Sequence, residues 1–331
     1  MRQRDEYVEG VEALLENLKS KAEQNRRNAF LTAGSKERLR GEFKAMLGYP
    51  LSDYKPDPCV SVRFDASAEY GEMKTTRCQL EVLPGFWFYG MLYEHIESVR
   101  SNKNALVIAS HGGGGDPEVV GSLVRGSENY NHMVKRVLGK DVTVFAPQLL
   151  LWNREHCGGR EYDRNSVDRR LRQFGGSVTG LEVYCVMRCV DYFAGRDWID
   201  ETRIGMVGLS YGGMYALYTA AADARIKSVL SSCWFNDRLK YNWPDWGYQN
   251  QAERFLDAEV ASLVLPRKLY IEIADNDELF DHNCAVSDIS RLHEYAKREG
   301  CEDSVRVIIF EGLHELDKSE DGIRFFLENL K

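Results

Sequence analysis

The sequence predicts an α/β fold: a mostly parallel sheet with helices on both faces, preceded by a helical extension. Two observations carry that expectation. Beyond Asn104, six short apolar runs (105–110, 142–146, 204–209, 226–231, 269–274 and 305–310) alternate with longer helical patterns, the rhythm of parallel strands joined by crossover helices. Each run is too short for a buried helix and rich in Val, Ile or Leu. The composition, 44% hydrophobic and 28% charged over 331 residues, is that of a globular chain long enough to bury a sizeable core.

Taken in order, residues 1–47 place Val8, Val11, Leu14, Leu15 and Leu18 at helical spacing among many charges, which predicts helices lying over a larger body. Three prolines between Tyr49 and Pro58 end any helix there, so the extension is read as residues 1–58 and the main unit as 59–331. From Cys59 to about His95 the pattern alternates, as in Val60-Ser61-Val62-Arg63-Phe64 and Phe86-Trp87-Phe88-Tyr89, predicting antiparallel strands. The clearest helices are expected at 181–194, 212–222, 286–298 and 322–330. Residues 234–266 break the rhythm with Trp234, Phe235, Tyr241, Trp243, Trp246, Tyr248 and Phe255. This segment reads as a cap over a pocket or as an ordinary packed connection, since aromatics supply core area wherever they occur.

Charge and segment type exclude several function classes. A net charge of −8 provides no basic face for a phosphate backbone, so nucleic acid is not an expected partner. The N-terminus runs in polar helical rhythm without the apolar core of a signal peptide, and no later stretch is apolar for long enough to span a bilayer; a cytoplasmic protein without a membrane partner is expected. Of the eight cysteines, Cys185 and Cys189 lie one helical turn apart, and Cys59, Cys78, Cys233, Cys284 and Cys301 fall in or beside predicted elements. No C-x-x-C pair occurs. Buried free thiols and no metal are expected.

The chemistry concentrates at three points. Gly208-Leu209-Ser210-Tyr211-Gly212 follows an apolar strand and opens a helix, the context of a nucleophile elbow. Its glycines let strand and helix approach around a strained turn that pushes the serine hydroxyl outward, and the helix N-terminus supplies amides and a positive dipole end. A serine needs a base, and its transition state needs donors for an oxyanion. His111-Gly112-Gly113-Gly114-Gly115 directly follows the strand 105–110, where backbone N–H groups can join that of Tyr211. A phosphate-binding loop is the competing reading, but no Gly-Lys-Ser/Thr follows and Asp116 and Glu118 would repel phosphate.

Seven histidines compete for the base. His314 lies just after the last predicted strand, and the chain order serine, acid, histidine suits it. His132, His282 and His293 fall in or at helices, His95 and His156 in peripheral segments, and His111 is read as shaping the glycine loop. The acid should leave the strand 269–274, after which Asp275, Asn276, Asp277 and Glu278 stand in a row. A calcium loop on Asp275, Asp277 and Asp281 lacks both the central glycine and the distal glutamate of an EF-hand.

The stretch from about Ala105 to His314 resembles the dienelactone-hydrolase-like and acetyl-xylan-esterase-like branch of the α/β-hydrolases. The similar pieces are the His-Gly-Gly loop at His111, Ala146-Pro147-Gln148-Leu149-Leu150-Leu151-Trp152, Asp163-Arg164, Gly180-Leu181-Glu182-Val183, the elbow with its strand from Arg203, Ala222-Asp223-Ala224-Arg225-Ile226 and Pro266-Arg267. Leu47-Gly48-Tyr49-Pro50 is loosely similar to the helical extension of such esterases. In that branch a Gly-x-x-Asp pattern ends the acid-bearing strand; the matching Ala274-Asp275-Asn276-Asp277, with alanine for glycine, points to Asp277, leaving Asp275 as alternate.

The resemblance implies an α/β-hydrolase fold with a short aromatic cap and a cofactor-free Ser210–His314–Asp277 triad. The oxyanion donors are expected at Tyr211 and Gly113, with Gly112 as alternate. The implied substrate is a short-chain, acetyl-type ester of a carbohydrate or other hydroxylated small molecule, with Trp234, Trp243 and Trp246 placed to bind a sugar face. Acyl chains of about eight carbons or more are expected to be poor substrates. The chain is read as a monomer or a homo-oligomer. An oligopeptidase-type serine peptidase is the alternative, weakened because no propeller precedes the catalytic part; a non-catalytic binding protein on the same fold is the other.

Overall fold

The computed structural model describes residues 2–31, 36–98, 103–152 and 162–331; His156 lies outside them. In chain order the elements are α1 (Arg2–Leu31), α2 (Lys36–Leu47), β1 (Val62–Phe64), β2 (Ala68–Tyr70), β3 (Met73–Leu83), β4 (Phe86–His95), β5 (Asn104–Ser110), α3 (Pro117–Val120), α4 (Met133–Val137) and β6 (Val142–Pro147). There follow α5 (Arg164–Arg172), α6 (Val178–Ala194), β7 (Ile199–Leu209), α7 (Tyr211–Ala222), β8 (Ile226–Ser232), α8 (Gln251–Arg254), α9 (Asp257–Ser262), β9 (Lys268–Ala274), α10 (Val286–Arg298), β10 (Val305–Phe310) and α11 (Asp321–Glu328).

The strands form one sheet in the order β1-β3-β4-β6-β5-β7-β8-β9-β10, with β2 beside β3. From β6 to β10 every pairing is parallel, while β1, β2, β3 and β4 pair antiparallel and β4 joins β6 antiparallel. The parallel sheet read from the apolar runs is thus present, and the antiparallel strands extend it. Successive strand residues point to opposite faces, and the core divides accordingly. Leu106, Ile108, Ile204 and Met206 pack with α2, α6, α7, α9 and α10. Ala105, Val107, Val207 and Leu209 pack with α3, α4 and α11.

The extension divides in two. α2 is part of the core, with Phe43 and Leu47 fully buried, and its Arg40 donates to Ala221 O at 2.7 Å and Leu263 O at 3.1 Å. Arg267 reaches the same carbonyl ends, donating to Ala220 O at 2.8 Å and Leu263 O at 2.9 Å. Two guanidinium groups from distant parts of the chain therefore satisfy the last carbonyls of α7 and α9, where a cation also opposes the negative helix end. α1 departs from the expectation of a helix lying on the body. Val8, Val11, Leu14, Leu15 and Leu18 are exposed, because contact begins only at Ala22 and the helix is longer than the surface it crosses. No described helix is long and apolar enough to cross a membrane, and the seven described cysteines are free.

A buried carboxylate ties the link after α2 to the body. Asp191 on α6 accepts from Tyr54 Oη (2.6 Å), Arg225 Nη1 (2.7 Å), Arg188 Nη1 (2.7 Å) and Asp57 N (3.1 Å). Removing one partner of a buried, fully bonded pair typically costs about 3–5 kcal/mol. Asp191→Ala should therefore lower the urea midpoint by an amount equivalent to about 3 kcal/mol without changing the slope; a loss below about 1 kcal/mol would show this hub to be dispensable.

Candidate active site

Ser210 stands between β7 and α7 at φ +59°, ψ −124°, a sparsely populated conformation for a residue with a side chain. The surrounding contacts enforce it. Ser210 N–H donates to Ser232 O at 2.9 Å, and Met214 N–H donates to Ser210 O at 3.0 Å. A Cβ on Gly208 would lie 2.2 Å from the carbonyl carbon of Gly212, and one on Gly212 would lie 2.0 Å from Ser110 O. Both glycines are needed because backbone meets backbone there.

The glycine loop abuts the serine: a Cβ on Gly112 would lie 3.1 Å from Ser210 Cβ. His111 is fully buried beneath the loop. Its Nε2 accepts from Leu149 N at 2.9 Å, which leaves Nδ1 as the donor to Gly112 O at 2.8 Å. Burial pushes its pKa down to about 4, so the ring is a neutral strut at ordinary pH. The expectation that His111 shapes the loop matches this geometry. The alternate oxyanion donor Gly112 is corrected: its N–H already donates to Tyr130 Oη at 2.7 Å. Gly114 N–H donates to Leu151 O and Gly115 N–H to Gly112 O, while none of these bonds takes the N–H of Gly113.

On the neighbouring loops, His314 Nδ1 and Asp277 Oδ2 are 2.8 Å apart, and the Asp277 side chain is almost wholly buried. Asp277 Oδ1 accepts from Leu279 N at 2.8 Å and Phe280 N at 3.2 Å, bonds that set the carboxylate plane. Asp275 turns elsewhere, accepting from Gly312 N at 3.1 Å and Asn276 Nδ2 at 2.7 Å. Ser232 links the two halves of the site, since its carbonyl holds Ser210 N and its hydroxyl donates to Glu315 O at 3.3 Å.

Several contributors to this arrangement carry no local sequence signal. Tyr130 lies 18 residues beyond Gly112, and its neighbours secure the histidine loop: Leu316 N donates to Asn129 O at 2.9 Å and Asn131 Nδ2 to Glu315 Oε2 at 3.0 Å. Cys233, at φ +48°, is buried with Sγ 3.2 Å from Glu315 O. Cys233, Asp277 and His314 bring their ligating atoms within 4.8 Å of one another, although the carboxylate and imidazole are already bonded together. Arg164 forms the other hidden cluster, donating to Asp245 Oδ2 (2.7 Å), Glu182 Oε2 (2.8 Å) and Tyr215 Oη (2.7 Å), while Tyr211 Oη bonds Asp245 at 3.1 Å. This cluster fastens the segment after β8 onto the elbow helix.

The three tryptophans expected at a sugar surface part company. Trp234 and Trp246 are 1% and 3% exposed, and Trp243 is 43% exposed. The first two are corrected to core residues, because the segment folds back on Tyr211: Trp246 lies 4.6 Å from Trp234 and 5.3 Å from Tyr211 between ring centroids. Trp243 stacks on the outer face of Trp246 at 4.4 Å. Behind the glycine loop, a cavity of about 150 Å³ is lined by Phe86, Trp87, Gln148, Leu150, Trp152 and Glu182 among others, and Trp152 pairs with Gly114 in an isolated bridge.

Glu272 on β9 lies buried under the histidine loop, accepting from Asp317 N at 3.2 Å. Burial raises its pKa from 4.5 to about 7. The folded chain therefore keeps a proton that the unfolded chain releases above 4.5, and stability from this group falls as pH rises from about 4.5 through 7. Glu272→Gln removes that dependence. Its melting temperature should exceed wild type by more at pH 8 than at pH 5, with a stability difference of at most about 3 kcal/mol; an equal offset at both pH values would refute a buried, protonated Glu272.

Comparison with known proteins adds to this geometry. Residues 181–259, from α6 to α9, match the model of the prolyl oligopeptidase family. The protein named "Putative hydrolase YtaP" of Bacillus subtilis (strain 168) is 28% identical over 123 residues, 35% of this chain, and the match spans only 41% of that relative's length. Among solved structures, the glucuronoyl esterase from Solibacter usitatus superposes with a TM-score of 0.64 at 15% identity over 90% of this chain and 92% of its own. Acetyl xylan esterase 1 from Thermoanaerobacterium sp. does so with a TM-score of 0.57 at 12% identity over 89% of this chain and 94% of its own. By its sheet order, its strand-to-helix elbow and these similarities, the chain has the α/β-hydrolase fold.

Proposed function

We propose that this chain is a serine esterase that removes a short acyl group, acetyl by preference, from a carbohydrate or other hydroxylated small molecule. The observation that carries the reading is the 2.8 Å contact between Asp277 Oδ2 and His314 Nδ1, on the loop that Ser232 ties to the elbow serine. An imidazole whose Nδ1–H is given to a carboxylate keeps Nε2 as its base.

Ser210 Oγ attacks the ester carbonyl carbon and passes its proton to His314 Nε2. The oxyanion is held by the backbone N–H groups of Tyr211, at the N-terminus of α7, and Gly113. Collapse expels the alcohol, which takes the proton back from Nε2. Water repeats the sequence on the acyl-enzyme and regenerates the serine. The acetyl xylan esterase that shares the fold favours a sugar alcohol as leaving group. Exposed Trp243 and the cavity edge at Trp87 and Trp152 offer rings for a sugar face, with polar N–H groups for its hydroxyls.

The family-model match to residues 181–259 favours a second reading, an oligopeptidase-type peptidase. A panel of nitrophenyl esters from acetyl to decanoyl, acetylated sugars and peptidyl nitroanilides separates the two. Acetyl esters should be turned over at least about tenfold faster than octanoyl esters, one methylene-sized pocket step being worth roughly 10–200-fold; faster nitroanilide cleavage would replace the esterase reading.

Ser210→Ala should lose roughly 10⁴-fold or more in kcat, and Asp277→Asn about 10³–10⁴-fold, leaving the residual rate of oxyanion hole and binding. Asp275→Asn should stay within about threefold of wild type, the scale expected of a bond that does not reach the histidine. Full activity in Asp277→Asn, or labelling of a serine other than Ser210 by a fluorophosphonate, would dismiss this triad.

A further inference from the structure

α1 is held by the body only along its last third. Arg26 pairs with Glu259 at 3.1 Å, and Phe30 packs on Phe255 and Tyr295 at 5.9 and 5.4 Å. Residues 2–21 are exposed throughout, an arm of about 30 Å. That arm carries an apolar stripe. Val8, Val11, Leu15 and Leu18 recur at alternating steps of three and four, Tyr7 and Leu14 flank them, and all six are between 38% and 75% exposed. The spacing continues into Ala22, which is buried. Positions 8, 15, 22 and 11, 18 are the seam of a heptad repeat. Gly10 interrupts the arm with nothing near it, which weakens the exposed helix by roughly 0.5–1 kcal/mol relative to alanine.

We propose that the arm pairs with the arm of a second copy of this chain, in antiparallel orientation. The charges order the pair: Arg2 and Arg4 stand at the very tip, Asp5, Glu6, Glu9, Glu12 and Glu16 follow along the arm, and Lys19 and Lys21 lie toward the body. Parallel arms would lay the acidic halves side by side. Antiparallel arms with Val11 opposite Leu15 set Val8 opposite Leu18 in the seam; on the flanks Leu14 lies beside its own copy and Asp5 beside Lys19 at each end, two acid–base contacts against one Glu12–Glu12 contact at the centre. Six apolar side chains on each arm together bury on the order of 1,000 Å², the lower edge of a specific interface. A lipid surface is the poorer occupant, because interfacial helices are rich in Lys and Arg on their polar face and this arm sets five acids against four bases.

Light scattering of the full chain at micromolar concentration tests the pairing; two chains of 37.9 kDa are expected. Leu15→Glu with Leu18→Glu should weaken association at least 100-fold, while the urea midpoint of the body stays unchanged as a check on folding. A mixture of Val8→Cys and Leu18→Cys chains should cross-link on mild oxidation beyond the wild-type background, whereas Leu18→Cys alone should not. A monomeric wild type, including one that binds phosphatidylserine vesicles or a different protein through the arm, overturns the proposal. So does a dimer that survives the double glutamate variant, and self-cross-linking of Leu18→Cys overturns the orientation.

Discussion

The site depends on how closely α7 approaches the sheet. At Gly208 and Gly212 the backbones of β5, β7 and α7 touch with no room for a Cβ, and this contact forces Ser210 into a left-handed turn. A looser approach would relax the turn, withdraw the hydroxyl and move Tyr211 N–H away from the glycine loop. The strain at one residue is thus held by packing at its neighbours, which is how unfavourable backbone conformations persist in folded proteins.

Around that contact, polar groups fix three loops against one another. The short turn at Asn129–Asn131 reaches in two directions: Tyr130 takes the Gly112 N–H, and Asn129 and Asn131 hold residues 315 and 316 beside His314. Neutral His111 fills the space beneath the glycines and bonds both sides of it. Arg164 does the same for the segment after β8, joining Asp245 above the elbow to Glu182 on α6. Buried polar networks of this kind are rigid when every member is bonded, and a site assembled from three separate loops needs that rigidity more than it needs extra apolar area.

Much of this was legible in the residue order, for identifiable reasons. The six apolar runs became β5 to β10 because parallel strands are covered on both faces and leave an unbroken apolar trace. Alternation at 60–64 and 86–89 marked the antiparallel strands, but could not reveal that β4 continues the same sheet through β6. Asp275 and Asp277 are two residues apart on one turn, so spacing alone leaves them equivalent; only the bonds to Gly312 and His314 distinguish them. Periodicity in α1 reports an apolar stripe without reporting what covers it. Aromatic content after Trp234 likewise could not say which rings face inward, and Tyr130 and Arg164 act across distances in sequence that no motif spans.

The position of Arg40 bears on how this protein can be divided. Its guanidinium reaches the carbonyl end of α7, the helix whose other end begins at the strained serine, and Phe43 beside it fills the same core as α6 and α7. Residues 36–47 are therefore a structural wall of the main unit rather than a detachable leader. Trimming the chain for expression or grafting the sheet-bearing unit onto another scaffold has a natural cut in the exposed part of α1, ahead of Ala22, and none between α2 and the first strand.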